Sequence, residues 1–225
     1  MKSLLAISIS SPPLLHQALL MASLARGSSR LAEVQLDAST HALIENLLAL
    51  GVAIVVDEST KGGKSTATID VAGTGGYWPN SDAELHANGD FSLACFLIAA
   101  CSLGRGRYSI YPGRAVSDAE LVPFLNALTD LGTAIHHERT DDEMLINLGP
   151  TPLRGGRLEC GQNFSPLALS SLLLVAPYAI TDVLIRIAAI YDLRDTVNLM
   201  DQFGVTVIVE PSAIIVPALQ CYRPL

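Results

Sequence analysis

Apolar residues in this chain fall into two alternating kinds of helix-length run. Residues 14–24, 93–103 and 167–177 are apolar nearly all round, the mark of helices buried on every side. The other kind is one-sided. Leu43, Ile44, Leu47 and Leu48 share one helical face, as do Leu121, Phe124, Leu125 and Leu128 and, more loosely, Val197, Met200 and Phe203. These predict helices with one face in solvent. β-prone runs follow the apolar helices at 30–34, 108–111 and 183–187, and follow the one-sided helices at 52–56, 133–137 and 205–209. Three closing runs, at 67–71, 144–148 and 213–216, read as final strands.

The pattern is one unit written three times. Leu50-Gly51-Val52-Ala53-Ile54 returns as Leu131-Gly132-Thr133-Ala134-Ile135 and again as Phe203-Gly204-Val205-Thr206-Val207. Each glycine ends a one-sided helix, where a left-handed residue is cheap only without a Cβ. Units of this length are whole supersecondary blocks, longer than solenoid repeats. The expected order within each is strand–helix–strand–helix–strand–strand, with repeats at 1–76, 77–150 and 151–225. The predicted fold class is therefore α/β (α+β). One domain spans 1–225, with the apolar helices inside and the sheets outside.

Composition narrows the function classes. Charged residues make up 16% of the 225 positions and the net charge is −8, so a broad basic face for nucleic acid is not expected. No run approaches the roughly 20 apolar residues of a membrane span. The opening Met1-Lys2 and Leu4-Leu5-Ala6-Ile7 imitate a signal peptide, but Ser8, Ser10, Ser11, Pro12 and Pro13 break its apolar core. A short strand at 4–9 is expected instead. Four cysteines without a CxxC pair read as reduced, buried small hydrophobes and suit a cytoplasmic protein.

No metal or cofactor is expected. His136 and His137 are neighbours on a predicted strand and point to opposite faces. His41 and Glu45 are only two ligands. The stretch Glu58-Ser59-Thr60-Lys61-Gly62-Gly63-Lys64-Ser65 ends like a phosphate-binding loop but lacks its first glycine and a following helix. A hairpin between 56 and 67 is expected there. Tyr77-Trp78, after the Gly73-Thr74-Gly75-Gly76 linker, reads as packing on the domain.

The segment QNFSPLALSSLLLVAP, residues 162–177, carries a helix start: Ser165 is a good N-cap and Pro166 sits at the first helical position. Helix starts of this kind are natural anion sites. The segments Ala18-Leu19-Leu20-Met21-Ala22-Ser23-Leu24-Ala25, Leu103-Gly104-Arg105-Gly106-Arg107-Tyr108 and Leu153-Arg154-Gly155-Gly156-Arg157-Leu158-Glu159 stand in a fixed order with Leu172-Leu173-Leu174-Val175-Ala176-Pro177. With Asn198-Leu199-Met200 and Phe203-Gly204-Val205, they resemble the N-terminal half of 5-enolpyruvylshikimate-3-phosphate synthase, of the enolpyruvyl transferase family. The resemblance implies one of two such domains. It also implies a cleft site that moves the enolpyruvyl group of phosphoenolpyruvate to a sugar-phosphate hydroxyl.

The motif residues that the resemblance would place in that cleft are replaced. The family's Gly-Ser-Lys-Ser-x-Ser-x-Arg falls on Ser10-Ser11-Pro12-Pro13-Leu14-Leu15-His16-Gln17, so Pro12 stands for the lysine and Gln17 for the arginine. Its Asn-Ala-Gly-Thr-x-x-Arg falls on Gly89-Asp90-Phe91-Ser92-Leu93-Ala94-Cys95, with Phe91 for the glycine and Cys95 for the arginine. Its Ser-Ser-Gln falls on Ser165-Pro166-Leu167. Arg114 matches one family arginine. Tyr191 and Asp192 fall in a third-unit loop that faces the family's cleft, and Asp118 falls likewise in the second unit.

Phosphate held away from water without cations costs several kcal/mol per uncompensated charge, so ordinary carboxyvinyl transfer by this chain alone is not expected. The shared apolar direction of the replacements points to a cleft remade for an apolar small molecule, bound and isomerised or cyclised there. The expected catalytic groups are His16, Asp90 and Cys95. The expected lining is Pro13, Gln17, Phe91, Ser92, Arg114, Ser165, Leu167, Tyr191 and Asp192. The alternative is a non-catalytic binding or partner subunit whose exposed cleft face is covered by a second copy or another chain. A residual carboxyvinyltransferase completed by a second chain is the weakest of the three.

Overall fold

The computed structural model describes residues 11–61, 64–139, 143–188 and 192–225. The strand expected at 4–9 and the site position Tyr191 lie outside the described residues.

Three helices form the centre: α1 (Pro12–Leu24), α3 (Phe91–Cys101) and α5 (Pro166–Val175), the last extended by a 3₁₀ turn at Ala176–Tyr178. They pack on one another, and from Leu15, Leu93 and Ala168 onward every residue of the three is buried. The one-sided helices α2 (Ala38–Ala49), α4 (Asp118–Asp130) and α6 (Arg194–Gln202) bury single faces through Leu43 and Leu47, Leu121 and Leu128, and Leu199 and Met200.

Three sheets lie outside. The first contains β1 (Ser28–Val34), β2 (Ala53–Lys61) and β3 (Lys64–Ala72) in the order β1-β3-β2. The second contains β4 (Asp82–His86), β5 (Arg107–Tyr111), β6 (Ile135–Arg139) and β7 (Met144–Leu148) in the order β4-β5-β7-β6. The third contains β8 (Gly156–Cys160), β9 (Val183–Ile187), β10 (Ile208–Glu210) and β11 (Ala213–Val216) in the order β10-β11-β9-β8. β4 runs parallel to β5 across α3, and β8 parallel to β9 across α5; every other pairing is antiparallel.

The second and third sheets thus carry the predicted order of elements, and helices lie inside sheets as expected. Several boundaries differ: β6 begins at Ile135 rather than at 133, and β1 at Ser28 rather than at 30. β2 and β3 extend the predicted hairpin to a Lys61–Lys64 pairing, which leaves no helix for a phosphate-binding loop. β10 begins at Ile208, three residues later than expected, because Val205 is spent on the helix end described next. Trp78 packs as expected and donates its indole N–H to the Ala100 carbonyl at 2.7 Å, while Tyr77 is exposed.

The three repeated glycines do the same job. Their φ angles are +89°, +97° and +77° at Gly51, Gly132 and Gly204. The following amide turns back in each case: Val52 to Leu47, Thr133 to Leu128 and Val205 to Met200, all at 3.0 Å. With the glycine amides on Leu48, Thr129 and Asp201, these are three Schellman ends.

The third unit closes on the first. Tyr178 donates its hydroxyl to the Leu24 carbonyl at 2.6 Å, and Tyr222 donates its own to Leu174 at 2.8 Å. The Arg26 amide donates to Tyr222 at 3.0 Å and the Arg30 amide to Leu225 at 3.3 Å.

Candidate functional site

The starts of α1 and α3 meet the start of α2, and there the polar groups concentrate. α2 is capped by Asp37, whose carboxylate accepts from the Thr40 amide at 2.7 Å and from the Thr40 hydroxyl at 2.6 Å. The same hydroxyl oxygen lies 3.1 Å from Nε2 of His16. A threonine hydroxyl has one proton, and here it goes to Asp37. Nε2 of His16 must therefore carry the imidazole proton and donate it to Thr40. The lone pair is left on Nδ1, which is buried and has no hydrogen-bond partner.

His16 is 2% exposed. Burial lowers its pKa, against the opposing pull of Asp37 and then Asp90, so the ring is a neutral acceptor at neutral pH. Its edge packs on Phe96 with ring centroids 6.2 Å apart. Two further buried atoms at these helix starts lack partners, Oε1 of Gln17 and Oγ of Ser92; a fourth, Oγ1 of Thr133, lies after α4. Buried polar atoms are nearly always paired, so three such atoms at the starts of two neighbouring helices mark this end as unusual.

Ser39, also in the first turn of α2, donates its hydroxyl to Asp90. Asp90 in turn caps α3 by accepting from the Leu93 amide at 3.0 Å. Beside this network a cavity of about 370 Å³ is lined by Ser11, Pro12, Leu15, Glu33, Gln35, Leu36 and Asp37. Glu33 sits at a bulge, where the β1–β3 register shifts between Leu31 and Val34, and has φ +57°. A left-handed non-glycine residue costs about 1–2 kcal/mol, and bulges gather next to functional sites because they re-aim the chain.

Two of the three central helix starts, those of α1 and α3, carry features that disfavour an external anion, by different means. An anion at such a start is held by the first free amides. α1 begins Pro12-Pro13, and proline has no N–H. α3 has its own carboxylate, the N-cap Asp90, on the Leu93 amide. α5 keeps the expected Ser165 cap and Pro166, with the Ser165 hydroxyl accepting from Ala168 at 3.5 Å.

The other expected residues are placed as follows. Pro13 is exposed; Phe91, Ser92 and Leu167 are half-buried. Arg114 lies exposed in the loop between β5 and α4. Asp192 is exposed and paired with Arg194 at 2.7 Å, which holds its carboxyl down to about 2. Asp118 pairs with Arg139.

Cys95 is a correction. It was expected as a reacting group, but it is 0% exposed and burial pushes its thiol far above the ordinary range. It is a core residue of α3, with no thiolate to offer. All four cysteines are free, with Cys95, Cys101 and Cys160 buried. Among the described residues no cluster of three or more metal-ligating side chains occurs, and no helix is long and apolar enough to cross a membrane.

Sequence reasoning missed Asp37, Ser39 and Thr40. Their only local signal is Asp37-Ala38-Ser39-Thr40 as a helix start; the contacts to His16 and Asp90 span 24 and 51 residues.

A family model described as EPSP synthase (3-phosphoshikimate 1-carboxyvinyltransferase) matches residues 6–220, and the chain belongs to that family. A 3-phosphoshikimate 1-carboxyvinyltransferase 2 of Halalkalibacterium halodurans is 30% identical over 202 residues, covering 88% of this chain and 43% of the relative. The corresponding enzyme of Nostoc punctiforme is 28% identical, covering 88% and 46%. The chain therefore spans less than half the length of these relatives. Among solved structures, an EPSP synthase of Acinetobacter baumannii superposes with a TM-score of 0.77 at 16% identity, over 95% of this chain and 46% of that one. The enolpyruvyl transferase NikO of Streptomyces tendae gives 0.59 at 15%, over 94% and 48%. At such identity these two establish the fold.

Proposed function

We propose that this chain is a divergent, half-length enolpyruvyl-transferase-type domain that does not perform carboxyvinyl transfer alone. In this reading its central-helix starts bind an uncharged, largely apolar small molecule. The observation that carries the reading is the character of the α1 and α3 starts. Pro12 and Pro13 offer no amide, Asp90 places a negative charge on α3, and buried His16 is neutral rather than cationic. Glu33 and Asp37 at the neighbouring cavity add to the acidity of this end. Phosphorylated substrates need the opposite arrangement.

The chemistry best supported is proton transfer in an isomerisation or cyclisation. Nδ1 of His16 is the acceptor, and Asp37 acting through Thr40 holds the tautomer. Asp90 serves as a helix cap and a source of negative field, and Cys95 takes no part. Free cysteines fit a reducing, cytoplasmic setting.

The test is a thermal-shift screen. Apolar polyenes or polyketides should raise Tm, whereas phosphoenolpyruvate and shikimate-3-phosphate should not. Stabilisation by the phosphorylated pair alone, or phosphate release on mixing the two, would overturn the proposal. The second reading is a non-catalytic partner subunit. Sedimentation separates the two, since a partner subunit should self-associate or co-sediment with another chain, and a ligand-binding monomer should not.

A further inference from the structure

The outward faces of the three sheets share one plan but carry different side chains. Equivalent strands pair in register, so one cross-strand row can be compared in all three. In the first sheet the row is Arg30, Asp70 and Val55, with the two charges paired. In the second it is Ser109, Asn147 and His136, with the Ser109 hydroxyl donating to Asn147 at 2.8 Å. In the third it is Leu184, Ile215 and Ile208. All nine are half-buried or exposed. A fold that accepts polar groups in this row twice does not itself require three aliphatic residues at the third place.

Beside the third row lies an open concavity of about 720 Å³. Its apolar walls include Leu184, Ile215, Ile180 and Leu219, of which Ile180 is 54% exposed and Leu219 80%. It sits by the 3₁₀ turn that ends α5, where the Gln220 amide donates to the Pro177 carbonyl at 2.9 Å. The helix starts lie at the other end of α5. The charged walls are one of each sign, Arg157 and Asp182, on a chain whose net charge is −8. Neither forms an ion pair among the described residues.

Leu219 is costly twice over. It is an exposed apolar side chain, and its φ is +58°, a left-handed conformation that glycine adopts far more cheaply. Both flanks fix it there. The Ala218 amide donates to the Asp182 carboxylate at 2.8 Å. The Gln220 side chain accepts from the Thr206 amide at 2.8 Å and donates to the Thr206 carbonyl at 3.0 Å. The fold thus holds a strained leucine out in water, and strain of this kind gathers at functional positions.

We propose that two copies of the chain meet on this face, the Leu219 side chain of each entering the other's concavity against Ile180, Leu184 and Ile215. Three observations single out a second copy. Knob and hole stand together on one face, so a two-fold rotation fills both at once and the assembly closes at two. The lining is neutral where the molecule as a whole is strongly acidic, which spares this face the repulsion between two like-charged chains. The two lining charges are opposite in sign, so Arg157 of one copy and Asp182 of its partner complement each other across the same axis. A strongly acidic or basic partner would find no excess of opposite charge here. The contact leaves the helix starts open and is independent of the ligand proposed above.

The experiment is sedimentation velocity on the full chain over a range of concentrations. The unaltered chain should show a reversible monomer–dimer equilibrium. Leu219→Asp should weaken dimerisation about tenfold or more, as loss of a central anchor does. Leu219→Gly should do the same while keeping the fold, because glycine is relaxed at positive φ. Val55→Asp, in the equivalent row of the first sheet, should leave the equilibrium unchanged. A chain that stays monomeric at every concentration overturns the proposal, as does a dimer that Val55→Asp weakens equally. A dimer that either Leu219 variant leaves intact runs through another face and overturns it too.

Discussion

The ends of the one-sided helices and the starts of the central helices make an instructive contrast. The ends are the same three times: a glycine at positive φ, and the next amide folded back at 3.0 Å. The starts are different three times: two prolines, an aspartate cap and a Ser-Pro pair. Where a position serves only the fold, the repeat has kept one solution. Where the resemblance would put the family's site, each copy has its own, and those of α1 and α3 disfavour an anion. The difference separates what this domain needs to exist from what it is for.

The contrast can be broken from either side. The largest effect is expected at the site: Thr40→Val strands the buried Nε2–H of His16, while Oδ1 of Asp37 keeps its bond from the residue-40 amide. Leaving a buried donor unpaired costs about 1–3 kcal/mol, measurable as a shift of the urea midpoint at constant slope. Gly132→Ala should follow, at about 1–2 kcal/mol for a left-handed non-glycine residue; its new Cβ would also meet the Arg154 side chain at 2.7 Å. Gly51→Ala and Gly204→Ala should cost about as much, and a spread wider than twofold would mean that the three ends are not equivalent.

A smaller, signed effect comes from pH. The folded pKa of His16 lies below its unfolded value because burial disfavours the cation. The unfolded chain then binds the proton more readily, so this histidine's contribution to stability is complete above about pH 6.5. It is lost as pH falls from there through the lowered folded pKa. His16→Gln should flatten that part of the stability curve, and an unchanged slope would remove His16 as its source. Smallest in stability is Asp90→Ser, which keeps a cap but removes the charge, a change of a few tenths of a kcal/mol. Its value lies in a gained response: inorganic phosphate should raise the Tm of the variant and not of the parent. No gain would show that Asp90 is not what closes α3.

Much of the fold was legible because it is written in periodicity. The all-round apolar runs became α1, α3 and α5, and the three glycines became three identical helix ends. β10 begins later than its β-prone run because Val205 is needed for the turn after Gly204. The site was less legible. Alignment by motif located His16, Gln17, Asp90 and Ser92 at helix starts. It could not say that Cys95, one helical turn past Ser92, faces the core. Nor could it find Thr40, whose importance rests on a contact with a residue 24 positions away. Polar networks between helices leave no period in a sequence.

Tyr178 carries a last consequence. Its hydroxyl binds the carbonyl at the end of α1, and the Tyr222 amide binds that hydroxyl in turn at 3.2 Å. The third block is thereby fastened to the first. An open array of repeats has terminal members that need capping and can melt inward from either end. A closed circle of three has no terminal member. Its blocks should lose their structure together, in a single transition, and cutting the Tyr178 link should turn that one step into two.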